Sequence, residues 1–186
     1  MSDVTTETPA DRYARLRDRF RTTLAAVPDD AWDQPTPCED WSVRDLVQHV
    51  VDTQGLFESM VGRAIPPAPR PGLLASFDHA TGVVLDDLRD PDAAATPHES
   101  PVFGTTTFEA MVDGFLSFDF VVHGWDLAHA TGADETIDDR DIAWVRRRAD
   151  QLGDLMRTSG QIGPEVEVGS EATETERLVA FLGRRP

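Results

Sequence analysis

Between Phe115 and Thr131 the chain reads FLSFDFVVHGWDLAHAT, apolar at most positions, yet it carries Asp119, His123 and Asp126. A helix that is apolar nearly all round has to be buried. Residues four apart on a helix lie ~40° from each other and residues three apart ~60°, so the three polar groups share one face. A buried carboxylate without a partner costs several kcal/mol, so this segment requires a second element that answers its charge. The same Asp-x-x-x-His-x-x-Asp spacing occurs earlier as Asp45, His49 and Asp52 within DLVQHVVD. Facing helices that bring such groups together are how helical bundle cores hold metals.

The surrounding pattern is helical. Thr8 and Pro9 supply an N-cap and a proline at the first helical position, and Tyr13, Leu16, Phe20, Leu24 and Val27 form one apolar stripe that Pro28 ends. A turn from Asp29 to Asp40 carries Trp32 and most of TPCEDW. Ser42 and Asp45 then form a capping box for a second helix, Val43 to Gly62. The prolines of AIPPAPRPG forbid a helix, so a third runs from Gly72 to Asp90 and Pro91 to Thr106 is loop. A fourth spans Thr107 to Ala130 and closes at Thr131-Gly132. A fifth runs from Ile137 to Ser159 with Trp144, Leu152 and Leu155, and a short last one lies near Glu174 to Leu182. With no convincing strand period, the expectation is an all-α single domain over residues 1–186. Its frame is a four-helix bundle with one or two extra short helices, and residues 1–8 are loose.

Acidic residues outnumber basic ones 34 to 17, a net charge of −17 that disfavours nucleic acid and anionic membrane surfaces as partners. No long apolar run and no leader pattern is present, so a soluble, cytoplasmic protein is expected. The single cysteine, Cys38, excludes an internal disulfide and a multi-cysteine zinc site. Every basic residue is arginine, which excludes a Schiff-base lysine. Arg146, Arg147 and Arg148 form the basic run; it pairs with the acids of DDRD, or binds an anionic substrate or a subunit.

Two readings of the polar faces stand. In one, His49 meets Asp119 and His123 around a divalent metal. Three protein ligands leave a position for water or substrate, and the donor set suits zinc, iron and other divalent ions. In the other, each histidine pairs with the aspartate one turn away and no metal is involved. Asp52 and Asp126 orient a histidine or coordinate an ion. Trp41 and Trp125 shape a substrate pocket or fill the core. Cys38 reads as a small buried hydrophobe or as a thiolate nucleophile. His129 lies ~120° around the helix from His123 and needs another partner to share a metal. For His79 and His98 solvent exposure is the default.

TPCEDWSVRDLVQHV and VVHGWDLAHATG together resemble the two signature segments of the DinB-like, mycothiol-dependent maleylpyruvate isomerase N-terminal family. LVAFLGRRP resembles the close of its short, single-domain members. The resemblance implies an up-down-down-up four-helix bundle. It also implies a divalent metal, usually zinc with iron or nickel as alternatives, held by His49, Asp119 and His123. Mycothiol or another small thiol is implied as co-substrate, activated by the metal for transfer to, or isomerisation of, an electrophilic small molecule. A homodimer is compatible with it. The isomerase itself has Glu where this chain has Asp119, and a second domain for which the residues after His129 are too few, so activity on maleylpyruvate is not expected. A thiol-dependent transferase or isomerase-like enzyme, a non-catalytic metal- or ligand-binding bundle and a structural dimer remain the three functional readings.

Overall fold

The computed structural model describes residues 7–100, 104–152, 155–158 and 162–186. Glu7 and Thr8 are tied down: Arg15 donates to Glu7 (2.7 Å), and the Thr8 hydroxyl accepts from the Asp11 amide as N-cap. That cap and Pro9 start α1 (Pro9–Ala25), whose spacing of three and four buries Tyr13, Leu16, Phe20 and Leu24. Helix α2 (Val43–Met60) begins at the Ser42/Asp45 capping box, with both reciprocal bonds made, and buries Val43, Leu46, Val47 and Val50. Helix α3 (Leu73–Arg89) buries Phe77, Val84, Leu85 and Leu88.

The segment after α3 departs from the sequence reading. In place of a loop there is a one-turn helix, α4 (Pro91–Ala94), and an antiparallel pair, β1 (Pro97–Ser100) with β2 (Gly104–Thr107), in the register Pro97 to Thr107. These strands are short and largely polar, and they lack the apolar alternation that announces a half-buried strand. The fourth helix is also not uniform. It is α5 (Phe108–Met111), a π-helical turn (Val112–Leu116) and α6 (Ser117–Thr131), ended by Gly132 at φ 69°. The expected fifth helix is helical over α7 (Asp139–Leu152) and α8 (Leu155–Thr158); its residues 153, 154 and 159 fall outside the described set, as do residues 1–6. The last helix, α9 (Glu174–Phe181), starts at a second capping box formed by Thr173 and Glu176.

Over the described residues the fold is thus mostly helical with one small two-stranded sheet. Helix α1 packs on α3 and α6, and α2 packs on the same two. Their shared core is aromatic: Phe20 stacks on Phe77 at 5.2 Å, and Phe120 of α6 meets both Tyr13 (5.2 Å) and Phe20 (5.8 Å). Among the described residues no helix is long and apolar enough to cross a membrane.

A polar bond from α1 to α2 crosses this core. The Tyr13 hydroxyl donates to Gln54 Oε1 at 2.6 Å, and Gln54 Nε2 donates to the Val50 carbonyl. Tyr13→Phe strands a buried acceptor, and a loss of about 1–3 kcal/mol is expected in the denaturant midpoint. Burial holds the Tyr13 phenol well above its usual pKa, so the folded chain keeps it protonated. Its contribution is therefore complete below the ordinary tyrosine pKa of about 10 and shrinks as pH rises past that value. The alkaline decline in stability should be shallower in Tyr13→Phe than in wild type.

Candidate metal centre and ligand cleft

The repeated triplet does not do the same work twice. Asp45 is consumed by the N-cap of α2, where the Ser42 hydroxyl and amide both donate to its Oδ2. Asp52 is exposed and accepts from Gln48 Nε2 at 2.7 Å. Only His49 of the first triplet turns towards α6. There its Nε2 lies 4.0 Å from Asp119 Oδ2, and its ring centroid lies 5.2 Å from that of His123. One ligand atom each from His49, Asp119 and His123 falls within 4.8 Å of the others. Ligand atoms around one zinc can be no more than roughly 4.2 Å apart, twice the usual bond length, so rotamer adjustments of tenths of an ångström suffice. Two imidazoles and one carboxylate are a fitting donor set for a divalent ion, and the side chains of His49 and Asp119 keep 34% and 29% exposure towards the cleft through which it would enter.

Asp126 acts behind this trio. It is fully buried, and His123 Nδ1 donates to its Oδ2 at 3.0 Å. That bond engages Nδ1, so Nε2 is the nitrogen a divalent ion would take after displacing its proton. Arg184, beyond α9, donates to both oxygens, Nε to Oδ1 at 3.2 Å and Nη2 to Oδ2 at 3.1 Å. The Cys38 thiol donates to Oδ2 as well, at 3.3 Å, and lies 3.8 Å from His123 Nδ1. Cys38, His123 and Asp126 are also close enough to hold an ion, but four donors already saturate the Asp126 carboxylate, which favours the trio with His49.

The electrostatics follow from this layering. Burial disfavours charge on His123, but its hydrogen bonds with Asp126 and Cys38 and the field of Asp119 outweigh that, and its pKa is pushed up to about 10. Burial raises Asp126, yet His123 and Arg184 together hold it below the usual carboxylate range. Asp119 is displaced upward by burial, against the fields of His123 and His49. His49 is displaced downward, by burial and by the repulsion of His123. Opposite shifts in groups this close mark a site arranged for charge.

The loop before α2 roofs the site. Cys38 N donates to Thr36 Oγ1 (3.2 Å), Trp41 N donates to the Cys38 carbonyl (3.1 Å), and Asp40 adopts a left-handed conformation at φ 64°. This tight turn sets the Trp41 ring 4.6 Å from His49 and 6.0 Å from His123. Below it opens a cleft of about 1160 Å³, with His49, Asp119 and His123 in its wall beside Cys38, Arg184 and Arg148. Its size is that of a site for a small organic ligand.

Trp125 is not part of this cleft. It is buried, stacks on His129 at 4.8 Å and borders a separate small recess against α1. His129 itself pairs with Glu135 (3.1 Å), and His79 hydrogen-bonds to the Pro66 carbonyl. His98 lines the cleft from β1 while its Nδ1 bonds to the Met60 carbonyl. Sequence reasoning missed Arg184 altogether, and with it the cation beside Cys38, whose Sγ lies 4.0 Å from Arg184 Nη2. The only available signal was the closing LVAFLGRRP, whose apolar run predicts a docked helix and so a buried neighbour for the arginine that follows.

No solved structure matches this chain significantly. Among curated proteins, two uncharacterized proteins of Mycobacterium tuberculosis, Rv0738 of strain H37Rv and MT0763 of strain CDC 1551, are each 31% identical to it over 180 residues, which is 95% of this chain and 97% of the relative. Residues 13–128 match the family described as mycothiol maleylpyruvate isomerase N-terminal domain, a span that contains His49, Asp119, His123 and Asp126. By that match and by the two full-length relatives, this chain belongs to the mycothiol maleylpyruvate isomerase N-terminal domain family.

Proposed function

We propose that this chain is a metal- and thiol-dependent enzyme of the transferase or isomerase-like kind, acting on a small electrophile, with His49, Asp119 and His123 as the metal ligands. The observation that carries the reading is the convergence of those three side chains at the wall of a ligand-sized cleft, with Asp126 and Arg184 backing His123. The up-down-down-up bundle and the single-domain organisation over residues 1–186 belong to the same reading.

A divalent cation, zinc first and iron or nickel next, supplies Lewis acidity and lowers the pKa of a thiol such as mycothiol to the point of ionisation at neutral pH. The chain's own residues do the rest. Asp126 holds the His123 ring through Nδ1, and Arg184 holds Asp126. Trp41 packs over His49 and limits water at the ligand side. Phe57, Phe115 and Phe118 line the cleft with apolar surface that suits the body of an organic substrate.

The test is elemental analysis of protein purified without a metal-affinity tag, wild type beside His123→Ala, followed by an assay of thiol consumption with an electrophile. About one equivalent of zinc, iron or nickel in wild type, lost in the variant, together with metal-dependent turnover, is the expected outcome. Metal without turnover identifies a binding protein instead, and absence of metal from both samples rejects the proposal.

A further inference from the structure

Arg148 projects from α7 into the cleft wall, and its Nε is buried without a hydrogen-bond partner. Most arginines that pack inwards in this chain hold carboxylates: Arg12 with Asp113, Arg15 with Asp141, Arg63 with Glu58 and Arg184 with Asp126. Among the described residues none is within ion-pair distance of Arg148, whose guanidinium has only the Phe115 face, 5.9 Å away. With 34 acidic residues to 17 basic ones, this is no shortage of acids. Nε itself is sealed, but the Nη nitrogens of this half-buried cation are open to the cleft and answered by no carboxylate, which points to an anionic partner supplied from the cleft.

The backbone beneath it leaves room for that head group. Gly114 lies in the π-helical turn, and a Cβ built on it would overlap the Arg148 guanidinium, coming within 2.6 Å of Cζ. The absence of a side chain at 114 is what lets the guanidinium lie against the turn. Beside it the cleft wall is aromatic, with Phe115 and Phe118 from the same helical run and Phe57 from α2.

We infer that Arg148 is the anchor for a carboxylate on the cleft's small-molecule ligand, whose apolar body lies along Phe57, Phe115 and Phe118. The inference deepens the proposed function and rests on it only in placing this ligand in the same cleft as the metal ligands. A planar guanidinium meets a carboxylate through two parallel hydrogen bonds, which a lysine ammonium cannot reproduce. In a protein of net charge −17, a fixed cation in the cleft is what lets an anion be held against the general repulsion.

The test titrates the full-length protein with benzoate, with its neutral isostere benzamide and with phenyl phosphate, read by calorimetry and by intrinsic tryptophan fluorescence. Wild type should bind benzoate at least tenfold more tightly than benzamide. Arg148→Met should lose at least tenfold in benzoate affinity and Arg148→Lys nearly as much, while metal content stays at the wild-type level. Because an unpaired, half-buried cation is removed, the melting temperature of Arg148→Met should rise, which no purely structural role of Arg148 predicts. Gly114→Ala should displace the flexible end of Arg148 and weaken benzoate binding with the fold retained, and it serves as the deciding variant should Arg148→Met fail to fold. Benzoate binding kept in the metal-depleted His123→Ala variant separates the arginine from the metal as the anion's partner. The inference is overturned if Arg148→Met binds benzoate within twofold of wild type, if benzoate and benzamide bind alike or not at all, or if only phenyl phosphate binds. Those outcomes leave the metal analysis of the proposed function untouched.

Discussion

Asp126→Ala is expected to lower stability by about 3–5 kcal/mol and metal affinity by roughly 10–100-fold. The first effect arises because Arg184, whose side chain keeps only 10% exposure, loses the carboxylate that its Nε and Nη2 use and keeps only the Leu182 carbonyl at Nη1. The buried cation left behind dominates the cost, more than the bond itself. The second arises because His123 loses the acceptor that fixes its Nδ1 proton, so the ring can turn or adopt the tautomer that presents the wrong nitrogen. Asp126→Asn, which preserves shape and one acceptor oxygen, should lie between wild type and Ala on both measures. Adding Arg184→Met to Asp126→Ala should recover much of the stability and none of the metal affinity, since only the first effect depends on the orphaned cation. Denaturant midpoints and metal titrations of the four proteins decide this. A loss below 1 kcal/mol in Asp126→Ala would show that water replaces the carboxylate and that the layer behind His123 is not structural.

Adding zinc to chelator-treated wild type is expected to raise its stability by about 2.7 kcal/mol at a free concentration a hundredfold above the dissociation constant. For a chain of this length that corresponds to roughly 5–10 °C in Tm. His49→Ala and His123→Ala should each abolish the shift, because neither α2 nor α6 holds all three ligands. The two should differ when no metal is present. The His49 side chain keeps 34% exposure and comes no closer than 4.0 Å to the Asp119 carboxylate, whereas His123 is bonded to the fully buried Asp126. Truncation at 49 should therefore cost little, and truncation at 123 measurably more. The zinc-induced shift should shrink as pH falls, since protons compete with the metal for both imidazoles and the Asp119 carboxylate. An equal shift in His49→Ala would place the ion elsewhere and remove the basis for the trio.

How far the sequence could be read depended on how local the deciding physics is. The first three helices were legible almost to the residue because caps and apolar period agree: Thr8 with Pro9, Ser42 with Asp45, and the stripe Phe77, Val84 and Leu88. The β1–β2 pair was not, since His98, Glu99, Thr105 and Thr106 carry no apolar alternation and their pairing depends on tertiary context. The π-helical turn was equally hidden, because a shifted hydrogen-bond pattern over Val112–Leu116 leaves the apolar composition of the segment intact. At the site, the Asp119, His123 and Asp126 face is a matter of spacing within one helix and could be read directly. What spacing cannot supply is apposition: that Asp45 would be taken by a cap, that Asp52 would point to solvent, and that Arg184 would reach Asp126 across 58 residues of sequence.

That last reach sets an order of assembly during synthesis. His49, Asp119, His123 and Asp126 are all made before α7, yet Asp126 gains its cation only when α9 has docked and Arg184 follows it into place. On a ribosome the nascent chain can form α1, α2, α3 and α6 with a buried aspartate answered only by His123 and Cys38, a state that is helical but unfinished. A protein truncated just after α7 should accordingly show near-native helix content while exchanging its site amides quickly and holding metal weakly. On the proposed reading, the ability to hold an ion would be acquired only after α9 has docked, and a cell that loads the protein would have to wait for that helix.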